Sequence, residues 1–96
     1  MLDLNKIRNI LNQFKPQLVQ KYPIASIGLF GSVVRNDFNT NSDIDIIVDF
    51  NRPIGIEFIS LADELEKELN HKVDLVSKAG IKLKYFKEIE PEIIYV

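Results

Sequence analysis

The chain is predicted to be an α/β (α+β) protein, a small β-sheet flanked by helices, and three observations predict it. Apolar residues recur at helical spacing over residues 4–18 and again over 58–69. Two runs rich in β-branched residues, 24–30 and 43–50, lie between those stretches, separated from each other by a polar loop. A third short strand-like run, Lys72 to Ser77, follows the second helical stretch. Elements in the order helix, strand, strand, helix, strand, helix bury their apolar faces by layering helices on a sheet.

Each element has a local reason. Leu4, Ile7, Leu11, Phe14 and Leu18 share one helical face, and Asp3 is placed to cap the start. Pro16 lies inside this stripe, and the loss of its backbone donor predicts a kink or break near Lys15. Pro23 ends the segment. Ile24 to Phe30 reads as a buried strand, and Gly31-Ser32 as a turn opening a short helix through Val33, Val34 and Arg35. Asn36 to Ser42 is a polar loop. In the next strand Ile44, Ile46 and Val48 share one face, while Asp43, Asp45, Ile47 and Asp49 share the other. Asn51 to Gly55 forms a turn, and Phe58, Leu61, Leu65 and Leu69 form a helical core stripe. After the third strand, a last helix is expected from Ala79, with Leu83, Phe86 and Ile89 on one face and Pro91 at its end. The tail Ile93-Ile94-Tyr95-Val96 reads as extended, either as a strand closing the core or as an edge for a partner. The short loop between the first two strands permits an antiparallel pair, and the helix before the third suits a parallel crossover.

Composition narrows the chemistry. In 96 residues there is room for one domain, 1–96, and one core. No run reaches the roughly 18 apolar residues of a membrane span, and the N-terminal residues lack the order of a signal peptide, so a cytoplasmic protein is expected. With no Cys and one His, disulfides, thiolate zinc sites and cysteine nucleophiles are excluded and a Ser-His-Asp triad is disfavoured. The formal charge of -2 argues against sequence-independent nucleic-acid binding. His71 reads as a turn residue, and Lys82, Lys84 and Lys87 as a solvated helix face.

What chemistry remains gathers in Gly31-Ser32-Val33-Val34-Arg35 and Ser42-Asp43-Ile44-Asp45. Carboxylates at i and i+2 of a strand face one way, about 6.5 to 7 Å apart along the backbone. They can share a divalent ion or a close pair of ions, and oxygen ligands alone favour Mg²⁺ or Mn²⁺. A glycine after a strand lets backbone approach a ligand, and the Ser32 hydroxyl adds a donor for phosphate. Asp74, set between Val73 and Leu75, is the natural third carboxylate. Each signal is weak alone: a Gly-Ser turn, a solvated Asp pair and a solvent-facing Asp are the ordinary readings. Their joint order describes a nucleoside triphosphate site with metal. A P-loop is excluded, because Gly-x-x-x-x-Gly-Lys-Ser/Thr is absent.

These residues resemble the minimal nucleotidyltransferases of the DNA polymerase beta-like superfamily, and most of all the antitoxin branch paired with HEPN toxins. The resemblance is carried by Gly31, Ser32, Arg35, Ser42-Asp43-Ile44-Asp45 and Val73-Asp74-Leu75-Val76, and it covers most of the chain. Val34 and Asn36 depart from the small residues usual beside the Arg. The resemblance implies a mixed sheet, two Mg²⁺ ions held by Asp43, Asp45 and Asp74, and nucleotide binding by Gly31, Ser32, Arg35 and Ser42. Arg35 contacts phosphate or braces the loop by pairing with Asp37, and the sequence leaves both open. The implied reaction is transfer of AMP from ATP to a tyrosine hydroxyl of a HEPN ribonuclease toxin, which is thereby silenced. Two other readings stand beside it: neutralisation of the toxin by binding alone, and transfer to an RNA end or an aminoglycoside.

Overall fold

The computed structural model describes residues 2–96; Met1, the first residue of the expected 1–96 domain, lies outside the described residues. Its elements are α1 (Leu4–Lys21), β1 (Ile24–Phe30), α2 (Ser32–Arg35), β2 (Ile44–Phe50), α3 (Glu57–Leu69), β3 (Val73–Ser77), α4 (Leu83–Ile89), a 3₁₀ turn (Glu90–Glu92) and β4 (Ile94–Tyr95). The four strands form one mixed sheet in the order β3-β2-β1-β4. β1 runs antiparallel to both β2 and β4, whereas β2 and β3 are parallel, joined by the α3 crossover.

Two layers of helix cover the sheet unequally. Ile27 and Leu29 of β1 and Ile44, Ile46 and Val48 of β2 pack with Ile7, Leu11 and Leu18 of α1 and Leu61, Leu65 and Leu69 of α3 into the main core. The opposite face holds a smaller cluster, Phe30, Ile47, Phe86 and Ile89, with Val76, Ile81 and Ile93 packed on it. Period-2 alternation in β1 and β2 sends neighbouring residues to these two clusters. Gly28 belongs to the thinner face: a Cβ there would lie 2.6 Å from Ile93 Cγ2, so glycine lets the C-terminal segment close on β1. The tail therefore closes the sheet, and the Val96 N–H donates to the Ile27 carbonyl at 2.9 Å.

Asp3 caps α1 as expected, its carboxylate accepting from the Lys6 N–H at 2.9 Å. Of the kink or break expected near Lys15, the break does not occur: α1 is one continuous helix with Pro16 inside it. Pro16 is exposed, so the carbonyl it leaves unpaired can turn to water, while Phe14 and Leu18 hold both sides of it against the core. The last helix also differs from expectation. It begins at Leu83 rather than Ala79, because residues 78–80 turn tightly, with the Gly80 and Ile81 N–H groups both donating to the Ser77 carbonyl. Lys82 is extended, and Leu83 is 66% exposed instead of sharing the buried face of Phe86 and Ile89.

Candidate active site

Strand register assembles the carboxylates. Asp45 of β2 stands directly opposite Asp74 of β3 in the parallel ladder, and Asp43 lies just before β2 begins. Like charges placed opposite each other are unfavourable. Partial burial together with the charges of Asp74 and Asp43 pushes the Asp45 carboxyl up to about 6, against a smaller opposing pull from Arg35. A cation seated there would relieve that repulsion, so the donor set suits a hard divalent ion. Among the described residues no three His, Cys, Asp or Glu side chains form a ready-made ligand cluster. Asp45 and Asp74 already meet through a side-chain hydrogen bond, which also favours the protonated form of Asp45.

Gly31 makes the other wall. It follows β1 with φ +78° and ψ -149°, a conformation that favours glycine, and a Cβ there would collide with the Asp45 carboxylate. Glycine is thus required both by backbone conformation and by space. The Gly31 carbonyl accepts from the Val34 and Arg35 N–H groups, starting α2, and Asn36 ends that turn in the left-handed region at φ 69°. Ser32 is half-buried directly after Gly31.

Gly31, Arg35, Asp45 and Asp74 line one cavity of about 130 Å³, closed by Phe30, Val76, Tyr85, Ile89 and Glu92. This is below the roughly 300 to 1,000 Å³ of an enclosing small-molecule pocket, and it suits the charged end of a ligand rather than the whole. An apolar hollow of about 580 Å³, lined by Phe58, Leu75, Ile81 and Lys82 among others, adjoins it and shares Val76 and Tyr85. Asp43 reaches the site through its charge on Asp45.

Ser42 is placed elsewhere. Its hydroxyl accepts from the Asn39 N–H at 3.3 Å, and its carbonyl lies 2.6 Å from His71 Nε2. His71, its ring tilted against Phe38 with centroids 5.2 Å apart, is a strut for this loop. Arg35 pairs with Asp37 as the bracing alternative expected, Nε to Oδ1 at 4.0 Å, and takes a closer partner that sequence reasoning missed. Its Nη1 donates to Glu92 at 3.3 and 3.4 Å. Glu92 also accepts from the Gly31 N–H at 3.0 Å. Tyr85, half-exposed at the rim, was likewise not singled out.

A family model described as "Nucleotidyltransferase domain" matches residues 11–95. The chain belongs to this family. It is an enzyme, a nucleotidyltransferase, and the cavity between Gly31 and the two strand aspartates is its candidate catalytic centre. The nucleotidyltransferase is 40% identical over 97 residues to "Protein adenylyltransferase MntA" of Thermococcus cleftensis, covering 100% of this chain and 98% of that one. A solved toxin–antitoxin structure with AMP-PNP matches with a TM-score of 0.71 at 28% identity, over 98% of this chain and 72% of that one. The fold, at 24% identity and a TM-score of 0.71, is also that of a solved complex of tri-AMPylated Shewanella oneidensis HEPN toxin with MNT antitoxin, covering 93% of this chain and 70% of that one. No helix among the described residues of the nucleotidyltransferase is long and apolar enough to cross a membrane.

Proposed function

We propose that this nucleotidyltransferase, acting as one domain over 1–96, is an antitoxin that moves AMP from ATP to a tyrosine hydroxyl of a cognate HEPN ribonuclease toxin and so silences it. The observation that carries the reading is Asp45 set opposite Asp74 beside a turn that only glycine can make. Full-length similarity to a protein adenylyltransferase, and the fold shared with a toxin–antitoxin structure containing AMP-PNP, support the substrate and the partner.

Asp43, Asp45 and Asp74 would hold two Mg²⁺ ions, with Mn²⁺ an acceptable replacement. Bound metal supplies charge neutralisation of the triphosphate and polarisation of its α-phosphate. The Gly31 turn and the Ser32 hydroxyl hold the β- and γ-phosphates, which fixes the direction in which pyrophosphate leaves. Asp74, exposed at the cavity mouth, either completes the metal set on the nucleophile's side or takes the proton of the attacking tyrosine hydroxyl. The new bond joins the tyrosine oxygen to the α-phosphorus, and the bond to pyrophosphate breaks. Arg35, already engaged by Glu92, acts as a brace for the turn. The small cavity receives the reacting phosphate, and the acceptor hydroxyl must be presented by the partner protein.

The test is the intact mass of the cognate toxin after incubation with this protein, ATP and Mg²⁺. A gain of one or more AMP groups on tyrosine, abolished by Asp43→Asn, is expected; no gain at saturating ATP overturns the reading. If the Asp43→Asn/Asp45→Asn protein neutralises the toxin as fully as the wild type, contact rather than transfer is the means.

A further inference from the structure

The role of Glu92 follows from the register of the last strand. In the antiparallel pair of β1 and β4, Leu29 opposes Ile94; extending that register by two residues sets Gly31 opposite Glu92. Beyond the two-residue β4 the ladder has ended, and the Gly31 N–H is taken by the Glu92 side chain at 3.0 Å rather than by backbone. The same carboxylate accepts from Arg35 Nη1 through both oxygens, at 3.3 and 3.4 Å. Its side chain is 24% exposed, against 55% for Arg35. Glu92 is thereby fastened to the turn from the other side of the cavity it shares with Asp45 and Asp74.

The Gly31 peptide is consequently gripped at both ends. Its carbonyl is held by the Val34 and Arg35 N–H groups of α2 and its N–H by Glu92. With φ at +78°, Gly31 holds one of the several backbone regions open to glycine, so its conformation depends on what its neighbours hold. A fixed acceptor on its N–H removes that freedom before any ligand arrives.

We propose that Glu92 is a positioning residue of the nucleotidyl-transfer reaction, which, together with the Arg35 it engages, fixes the Gly31–Ser32 turn in the geometry that receives the triphosphate. The 3₁₀ turn that carries Glu92 and the β4 pairing behind it are what anchor that brace. This inference rests on the reading that the turn binds the phosphates of ATP.

A pair of variants isolates it. E92Q removes the charge but keeps an oxygen acceptor; E92M keeps the length and has no oxygen acceptor. Neither is a charge-matched control for the wild type, because a lost carboxylate also lessens repulsion of the triphosphate. Each is a control for the other. Loss of one well-placed hydrogen bond corresponds to about a tenfold change in equilibrium. E92M is therefore expected to bind the Mg²⁺ complex of a non-hydrolysable ATP analogue about tenfold more weakly than E92Q in titration calorimetry. In toxin modification the same gap is expected in KM for ATP, with kcat changed less. Both variants are expected to melt close to the wild type, and the Gly31 amide proton resonance is expected to move in E92M while staying near its native position in E92Q.

Equal analogue affinity for E92Q and E92M overturns the proposal, as does an unmoved Gly31 amide in E92M. Tighter binding by both variants than by the wild type, with no gap between them, shows instead that Glu92 competes with phosphate. If the wild type binds no Mg²⁺–nucleotide at all, the nucleotide reading fails by itself, and the amide comparison still decides whether Glu92 holds the turn.

Discussion

The two faces of the sheet are made from alternate residues of the same strands and have opposite characters. On one face Ile44, Ile46 and Val48 are fully buried beneath α1 and α3. On the other, one residue out of step, Asp45 and Ile47 look toward α4, and Asp45 faces Asp74 without a neutralising partner of comparable strength. The first face is sealed by apolar contact and tied at its rim, where Glu64 of α3 accepts from Lys21 and from the Tyr22 hydroxyl. The second is left partly open, with a cavity, an elevated carboxyl and a positive-φ glycine side by side. A period of two residues is thus enough to separate the face that stabilises the protein from the face that carries the candidate site, where like charges stand together.

The contrast can be broken most severely on the open face. Asp45→Asn should cut nucleotidyl transfer by about a thousandfold, since it removes a proposed metal ligand and its charge; timed toxin modification measures it. On the sealed face, Leu65→Ala should cost about 2 to 5 kcal/mol in denaturant unfolding, while transfer per folded molecule stays near the wild-type value. A large loss of turnover per folded molecule in Leu65→Ala would show that the faces are not separable.

A pH series sharpens the same distinction. The folded Asp45 carboxyl holds its proton up to about pH 6, against 3.8 for the ordinary group, so the native state binds more protons than the unfolded chain in that window. Stability should therefore fall as pH rises through that window and stay lower above it. Asp45→Asn should flatten that slope and melt higher at pH 7, by about 1 kcal/mol once solvent screening at this half-buried position is allowed for. The smallest effect belongs to the rim of the sealed face. Burial and the hydrogen bond to Glu64 push the Tyr22 hydroxyl up to about 12, so it stays protonated and bonded through the physiological range. Tyr22→Phe should cost about 1 kcal/mol in thermal melting with no effect on transfer.

Legibility followed the same division. The sealed face was readable because periodicity reports burial directly: the α1 stripe, Leu61, Leu65 and Leu69 of α3 and the alternation of β2 stand as predicted, while Phe58 at the start of α3 lies outside the core and lines an open hollow. Gly31, Asp45 and Asp74 were readable because a strand fixes which way side chains point, and their meeting needed only parallel pairing of β2 and β3. The failures came where local rules met tertiary context. Pro16 is tolerated because its missing bond faces solvent, and the onset of α4 is delayed by the turn at Gly80. Ser42, whose part in nucleotide binding stays a proposal, is held by its own loop, where its hydroxyl accepts from the Asn39 N–H. Glu92 was invisible for a different reason: its partners lie 61 and 57 residues away, and only the pairing of the tail with β1 brings them together. The extended tail was foreseen, but not its register, and register is what gives Glu92 its place.

On the proposed function, the open face holds repulsion that metal and nucleotide relieve. That relief is tested most directly by thermal melting at pH 7 with and without the Mg²⁺ complex of a non-hydrolysable ATP analogue, in the wild type and in Asp45→Asn. The account predicts a marked rise in the wild-type midpoint on adding the complex, and little or none in the variant, which starts higher. An equal rise in both proteins, or none in the wild type, would contradict it.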